Sequence, residues 1–264
     1  KSLIEQLSKE KYQIIAKTRR ELDLLNLDKL KDFFDEHKYF DYIIHTAAVG
    51  GRRWDPDTPR IFYENTLMFD HLMLFKNRFK KLITFGSGAE FGELSHSAAE
   101  SDLNEKVILN YYGTSKKYIT NKVRIENLPV IILRIWGCFG KHEDSSGFIK
   151  SNIIRHKLGH PMIINQNKWM DFIYVNDLCK IIEGILNQEI LTHVTGDWNV
   201  TYIDKKTLID ITSIINGFSP KVKVNISEPG FRSSYTGQSS INPQNIRLGG
   251  IGLEAGLKQM YEEL

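Results

Sequence analysis

The stretch Asn110-Tyr111-Tyr112-Gly113-Thr114-Ser115-Lys116-Lys117 sets a phenol and an ammonium four residues apart, at Tyr112 and Lys116. The residues that follow, to about Asn127, are patterned as a helix, where positions i and i+4 lie one above the other on the same face. A cation so placed favours the phenolate and lowers the pKa of Tyr112, letting the phenol exchange a proton with a carbonyl or alcohol oxygen. Tyr112 and not Tyr111 is the candidate acid, because only Tyr112 has the lysine at i+4. A solvated helix face carries the same pair by chance, so the surrounding chain must decide between the two readings.

Proton exchange needs a second element for the helix to face. Four short apolar runs, Tyr12–Ala16, Tyr42–Thr46, Lys81–Phe85 and Val130–Arg134, read as strands. Between them lie helical patterns over Lys1–Glu10, Leu27–His37 and Pro59–Phe79, and over the run from Tyr112. Strands alternating with helices of this length imply crossover connections and a parallel sheet. Continuous rather than alternating apolar strands imply a sheet covered on both faces. The expected fold is α/β: a Rossmann-like doubly wound parallel sheet over residues 1–140, with a small C-terminal α/β lobe over 141–264 interleaved with it. In that lobe the pattern gives helices over Phe148–Leu158, Asn176–Asn187, Lys205–Ile215 and Leu253–Leu264. It also gives an extended piece at Met170–Tyr174, a strand at Val222–Ile226 and a Ser/Gly/Asn/Pro-rich loop over Glu228–Gly250.

Composition narrows the function classes. The chain has 264 residues, 41% of them hydrophobic, which is enough for a sizeable core. The net charge of +3 is spread out, apart from Lys17–Arg20 and Arg52-Arg53, and leaves no nucleic-acid footprint. Two cysteines, Cys138 and Cys179, make neither a disulfide framework nor a metal site, which fits a cytoplasmic setting. No apolar run is long enough to span a bilayer, and no signal peptide is expected.

In a doubly wound sheet, ligands sit beyond the carboxyl ends of the strands. Three expected strand ends carry small or polar residues: Ala47-Ala48, Gly86-Ser87-Gly88 and Trp136-Gly137. Small residues let a flat ring approach the backbone. Ser87, otherwise an ordinary turn serine, can hold an oxygen that Tyr112 also touches. Arg19 follows the Tyr12–Ala16 run, where a dinucleotide's ribose would lie, and an arginine there accommodates a 2′-phosphate; its alternative is a surface charge. Asp23 either accepts from an adenine amine or caps the next helix. His45, inside an apolar strand, reads as a core histidine rather than a catalyst.

With HTAA (45–48), Asn65, Ser87 in FGSGAEFG, Tyr112-x-x-x-Lys116, LRIWGCFG (133–140) and MDFIYVNDL (170–178), the chain resembles the extended short-chain dehydrogenase/reductase (NAD-dependent epimerase/dehydratase) family. Within it, the resemblance is greatest to the GDP-fucose synthases, through KTRRELDLLN (17–26), AAVGG (47–51), Ala99-Glu100-Ser101-Asp102-Leu103 and GLEAGL (252–257). The resemblance implies that Tyr112 protonates a 4-keto oxygen as hydride arrives, that Lys116 tunes it and holds the nicotinamide ribose, and that Ser87 polarises the same oxygen. It also implies that Asn65, Ala47 and Ala48 line the cofactor, that Lys17 and Arg19 favour NADPH over NADH, and that the protein is a homodimer formed through the helices of Asn65 and Tyr112. Gly88 and Ala89 would join Ser87 and Tyr112 against the sugar.

Three departures qualify it. The glycine-rich turn G-x-x-G-x-x-G after the first strand is missing, so that roughly twenty residues of a βα unit are expected ahead of Lys1. The cysteine and histidine with which GDP-fucose synthases epimerise C3 and C5 stand at positions occupied by Ala89 and Gly147. The family's pocket arginine falls at Met170, leaving Arg232, Lys150 and Arg155 as candidates for the sugar nucleotide's diphosphate, each otherwise a surface charge. Glu90 suggests a dehydratase acid but stands one residue too close to Phe91-Gly92. The expected activity is therefore NADPH-dependent C4 keto-reduction of a nucleotide-activated, GDP-linked 4-keto sugar, with epimerisation weak or absent. A retained epimerase-reductase activity, an NAD-dependent 4-epimerase and a non-catalytic sugar-nucleotide-binding protein remain as alternatives.

Overall fold

The computed structural model describes residues 1–8, 10–52, 56–93, 96–191, 194–218, 220–244 and 248–264. In chain order the elements are α1 (Ser2–Gln6), α2 (Leu27–Glu36), β1 (Phe40–His45), α3 (Pro59–Leu74), β2 (Phe79–Ser87), α4 (Tyr111–Glu126), β3 (Val130–Ile135) and β4 (Cys138–Phe139). They continue as α5 (Phe148–Lys157), β5 (Met162–Asn167), β6 (Ile173–Tyr174), α6 (Val175–Leu186), β7 (Gly196–Asn199), α7 (Leu208–Asn216), β8 (Val224–Phe231) and α8 (Leu253–Glu263).

Three of the expected apolar runs, now β1, β2 and β3, form one parallel sheet with β7, in the order β1-β2-β3-β7. Both of its faces are buried, as continuous apolar strands require. Alternate residues of β2 and β3 (Leu82, Val130, Ile132) pack against Leu30, Phe34, Phe69, Leu72 and Val123 of α2, α3 and α4. Their neighbours Ile83, Ile131 and Leu133 pack on the other face against Leu178, Ile181, Ile182 and Ile185 of α6. A separate core under the second lobe joins Ile149 and Ile153 of α5, Met162 and Ile164 of β5, Ile211 and Ile215 of α7, and Leu257 and Met260 of α8. The interleaving runs through β7, a late segment that pairs with β3 in register Arg134↔Asn199.

Several expectations are corrected. Tyr12–Ala16 is not a strand. Gln13, Ile15 and Ala16 are exposed, and no described strand flanks the run, because β1 is the edge of the sheet. Apolar residues supply the propensity for a strand, but a ladder needs a neighbour. The first helix stops after Gln6 rather than Glu10, and α3 gives way after Leu74 to a 3-10 turn at Lys76–Arg78 before β2. The strands β5 and β7 were not expected, and β8 extends to Phe231, into the stretch read as loop. Arg53 and residues 245–247 lie outside the described residues.

The start of α4 is closely specified. Asn110 caps it, its side chain accepting from the Gly113 amide at 2.6 Å. The Asp57 carboxylate accepts from the Tyr111 and Tyr112 amides at 2.8 and 3.3 Å, satisfying donors that the first turn leaves without intrahelical partners. The helix ends at Asn127 in the left-handed conformation (φ 47°).

Candidate active site

Six residues predicted from sequence meet in one cavity at the carboxyl ends of β1, β2 and β3. The cavity is about 650 Å³ in volume, and Ala47, Ala48, Ser87, Ala89, Tyr112 and Lys116 all line it. Ser87 is the last residue of β2, and Tyr112 and Lys116 lie on the first two turns of α4. The helix reaches this close because residue 113 is glycine: a Cβ there would stand 2.5 Å from the Ala89 carbonyl oxygen. On the opposite side the Tyr112 ring lies against Gly51, whose φ of +83° and lack of a side chain give the ring its place.

The Lys116 ammonium donates to the Phe85 carbonyl at 3.0 Å and lies 5.8 Å from the centre of the Tyr112 ring. The shared face predicted from the four-residue spacing is therefore real. The electrostatics differ from expectation. Burial pushes the Tyr112 phenol above its ordinary value; a hydrogen bond with Ser87 works against that rise, and the charge of Glu90 adds to it. Burial also lowers Lys116 to about 8, against the pull of Glu90. At neutral pH the phenol is protonated and the lysine still mostly cationic, the states an acid and its supporting cation need. His45 lines the same cavity, but burial, with help from the Lys116 charge, lowers it to about 3. It is the neutral core histidine expected from sequence.

Behind Ser87 lies a charge network that sequence reasoning did not find. Glu90, fully buried, accepts from the Ser87 amide at 2.7 Å through one carboxylate oxygen. Its other oxygen accepts from the Thr120 hydroxyl at 2.8 Å and from Arg134 Nη2 and Nε at 2.9 and 3.1 Å. Arg134, also fully buried, reaches Asp197 at 2.7 Å and the Asn199 side chain at 3.0 Å. Asp197 in turn accepts from Arg124 at 2.6 and 2.7 Å. Burial opposes the charge of Asp197, but the bonds to Arg124 and Arg134 hold it below the ordinary carboxylate range. Tyr112, Lys116 and Thr120 thus form one stripe at intervals of four along α4, the last locking Glu90 in place. The dehydratase reading of Glu90 fails here, since the carboxylate is enclosed behind the strand end rather than presented to the cavity.

The cofactor candidates divide. Lys17, Arg19 and Asp23 line a second cavity of about 460 Å³, which shares His45, Thr46, Ala47 and Ala48 with the first. Together the two form a trough with a basic far end, in which Arg19 is exposed and lies 3.8 Å from both Asp23 and Glu64. Asn65 commits its side chain elsewhere. It accepts from the Val49 amide at 2.8 Å and donates to the Val49 carbonyl and the Ser115 hydroxyl at 3.0 and 3.1 Å, so that it shapes the Ala47–Val49 turn. Gly88 packs under the Trp136 indole and does not line the cavity.

The diphosphate candidates are not brought to the cleft. The Lys150 ammonium is held by the carbonyls of Lys141 and Glu143 at 2.7 and 2.8 Å. Arg155 sits in the last turn of α5, and Arg232 is exposed beyond β8; neither lines either cavity. Among the described residues, the cation that lines the first cavity besides Lys116 is Arg52, alongside Trp136, Cys138 and Tyr235. Tyr235 was missed because it reaches Ser87 across 148 residues, from a loop with no periodic pattern.

Solved structures share this architecture. A GDP-mannoheptose C4 reductase from Campylobacter jejuni with NADP bound superposes with a TM-score of 0.76 at 20% identity, over 99% of this chain and 94% of that one. A GDP-D-glycero-L-gluco-heptose synthase from the same organism, in the presence of NADPH, gives a TM-score of 0.77 at 20% identity, over 99% and 93%. A GDP-L-fucose synthetase from Naegleria fowleri bound to NADP gives 0.74 at 16% identity, over 99% and 87%. No curated protein sequence matches the chain. The NAD dependent epimerase/dehydratase family model matches residues 1–200, which include every strand of the central sheet and the Ser87, Tyr112 and Lys116 cleft, and the protein belongs to that family.

Proposed function

We propose that the protein is an NADPH-dependent reductase of the C4 keto group of a nucleotide-linked sugar, GDP-linked, with epimerisation at C3 and C5 weak or absent. The convergence of Ser87, Tyr112 and Lys116 on one wall of a strand-end cavity carries the reading. The continuous trough from Arg19 to Tyr112, floored by Ala47 and Ala48, fits a long two-ended molecule such as a dinucleotide, with Lys17 and Arg19 at the end where a 2′-phosphate would sit. When bound, the reduced nicotinamide supplies hydride to the carbonyl carbon. Ser87 and Tyr112 hold the carbonyl oxygen, and Tyr112 gives it a proton as charge develops there. The cation of Lys116 stabilises the phenolate left behind.

Loss of epimerisation is supported by what lines the cleft. Ala89 carries no proton. The cleft's one cysteine, Cys138, is pushed up by burial to about 12 and stays a thiol. We place the protein in the cytoplasm as a homodimer through the outer faces of α3 and α4, where Tyr63, Tyr118 and Ile125 are exposed. Among the described residues, no helix is long and apolar enough to cross a membrane.

The test is to mix the protein with NADPH and freshly prepared GDP-4-keto sugars. Expected are oxidation of NADPH and no solvent deuterium at C3 or C5. Tyr112→Phe should lower kcat by about 10²–10⁴-fold. Failure to oxidise NADPH with any keto sugar overturns the reductase reading, and deuterium at C3 or C5 overturns the narrower claim about epimerisation.

A further inference from the structure

We propose that Tyr235 is a positioning residue whose phenol fixes the direction of the Ser87 hydroxyl proton, aiming it at the oxygen that Tyr112 protonates. The proposal rests on the reductase reading above and adds a residue from the second lobe to it.

A serine hydroxyl has one proton to donate and two lone pairs to accept with. The Ala89 amide donates to Ser87 Oγ at 3.2 Å and occupies one lone pair. The Tyr235 hydroxyl lies 3.4 Å from the same oxygen. Burial first of all, and then the nearby Tyr112 and Glu90, keep Tyr235 far above the ordinary tyrosine range despite its bonds to Ser87 and the Ala89 backbone. The phenol therefore keeps its proton, and the direction we infer for the contact is donation from Tyr235 to Ser87 Oγ. With Tyr235 donating to the second lone pair, the proton of Ser87 is left for the oxygen it shares with Tyr112, whose phenol also hydrogen-bonds Ser87. At 3.4 Å the contact is long for two hydroxyls, and such contacts in active sites tighten in the reacting complex.

The phenol is aimed by a fixed backbone. The Tyr235 amide donates to the Trp169 carbonyl at 2.9 Å, and its carbonyl accepts from the Asp171 amide at 3.0 Å. Two residues on, the Gly237 amide donates to the Asp171 carboxylate at 2.8 Å, which Lys205 also holds at 2.8 Å. The Lys168 ammonium lies over the ring, 5.4 Å from its centre. Ser87 is fixed from the other side by Glu90, which accepts from its amide. Two lobes thus orient one hydroxyl.

The test is a double-mutant cycle of Tyr235→Phe and Ser87→Ala, read on kcat, KM and the alkaline limb of the pH profile. Among the described residues, the charged and titratable groups facing Tyr112 are Lys116 on its own helix, Glu90, Asp57, and Arg52, His45, Cys138 and Tyr235 in the cavity wall. Only Tyr235 is changed in the first variant. Expected for Tyr235→Phe is a loss of about tenfold in kcat, the worth of one hydrogen bond, with KM little changed. The alkaline limb should move upward, since a Ser87 that no longer donates reliably stabilises the phenolate less. In the Ser87→Ala background, Tyr235→Phe should have no further effect. Additive losses would mean that Tyr235 acts without Ser87 and would overturn the proposal, as would an unchanged kcat in Tyr235→Phe. A readout without turnover separates this from the reductase reading: the phenolate absorbance of Tyr112, identified by difference against Tyr112→Phe, should titrate at higher pH in Tyr235→Phe and in Ser87→Ala alike. Wild type that reduces no keto sugar removes the reductase reading, and an unmoved Tyr112 titration removes the proposal.

Discussion

Two buried carboxylates near the cleft meet opposite fates. Glu90, behind the end of β2, has both oxygens satisfied by Ser87, Thr120 and Arg134. Glu143, in the loop between β4 and α5, packs against Gly147 with its Oε2 buried and unpartnered, and burial pushes it up to about 7. Burial alone therefore does not decide whether a carboxylate stays charged; the partners brought in with it do. Beside Ser87 the chain supplies an arginine from near the end of an apolar strand. In the loop before α5 it leaves the carboxyl to titrate near neutrality.

Breaking the Glu90 side should have the largest effect. Arg134→Leu leaves a buried charge without its cation and should destabilise the fold by about 3–5 kcal/mol, read by urea unfolding at pH 7. If pairing is what Arg134 provides, Glu90→Gln in the Arg134→Leu background should recover much of the loss, because the unpaired buried charge is gone. A loss that persists in the double variant would show that packing rather than pairing is what Arg134 provides.

The Glu143 side gives the next effect, through its own proton. Its folded pKa, about 7, lies above the ordinary value of 4.5, so the folded state holds the proton that the unfolded state releases. Below about pH 4 both states are protonated and nothing is lost; between about 4.5 and 7 stability falls as pH rises, by on the order of 3 kcal/mol. Glu143→Gln should flatten that part of the stability profile, and an unchanged slope would count against a buried, titrating Glu143. Gly113→Ala should follow, at about 1–3 kcal/mol, because the new methyl pushes the Ala89 carbonyl and with it the Ser87 turn; thermal melts and kcat should fall together. Smallest is Arg124→Ala at the half-exposed outer end of the network, at about 1 kcal/mol. A larger loss there would mean that the Asp197–Arg134–Glu90 chain behaves as one unit.

What was readable beforehand followed from local pattern. Apolar runs gave β1, β2 and β3, the four-residue spacing gave the Tyr112 and Lys116 face, and small residues at strand ends marked the cavity. What was hidden depended on pairing across the chain. Tyr12–Ala16 has the composition of a strand and no described neighbour to pair with. Gly196–Asn199 has neither length nor an apolar run, yet joins the sheet because β3 offers an open edge. Arg134 read as the polar end of an apolar strand, and its partner Glu90 lies 44 residues away. The expected lowering of Tyr112 by Lys116 reversed because spacing gives proximity and says nothing of the burial that comes with it.

The separation of 148 residues between Ser87 and Tyr235 sets an order of assembly during synthesis. At about 5–20 residues per second, roughly 7–30 s pass between the making of the serine and of the phenol that faces it. In that interval the nascent chain already holds Glu90, Tyr112, Lys116 and Arg134, enough to dock α4 on β2 and β3. The β7 edge and the Tyr235 loop arrive only afterwards. The reactive hydroxyl is thus among the last groups to be set in place, and a translating ribosome carries a nearly complete but unaimed cleft.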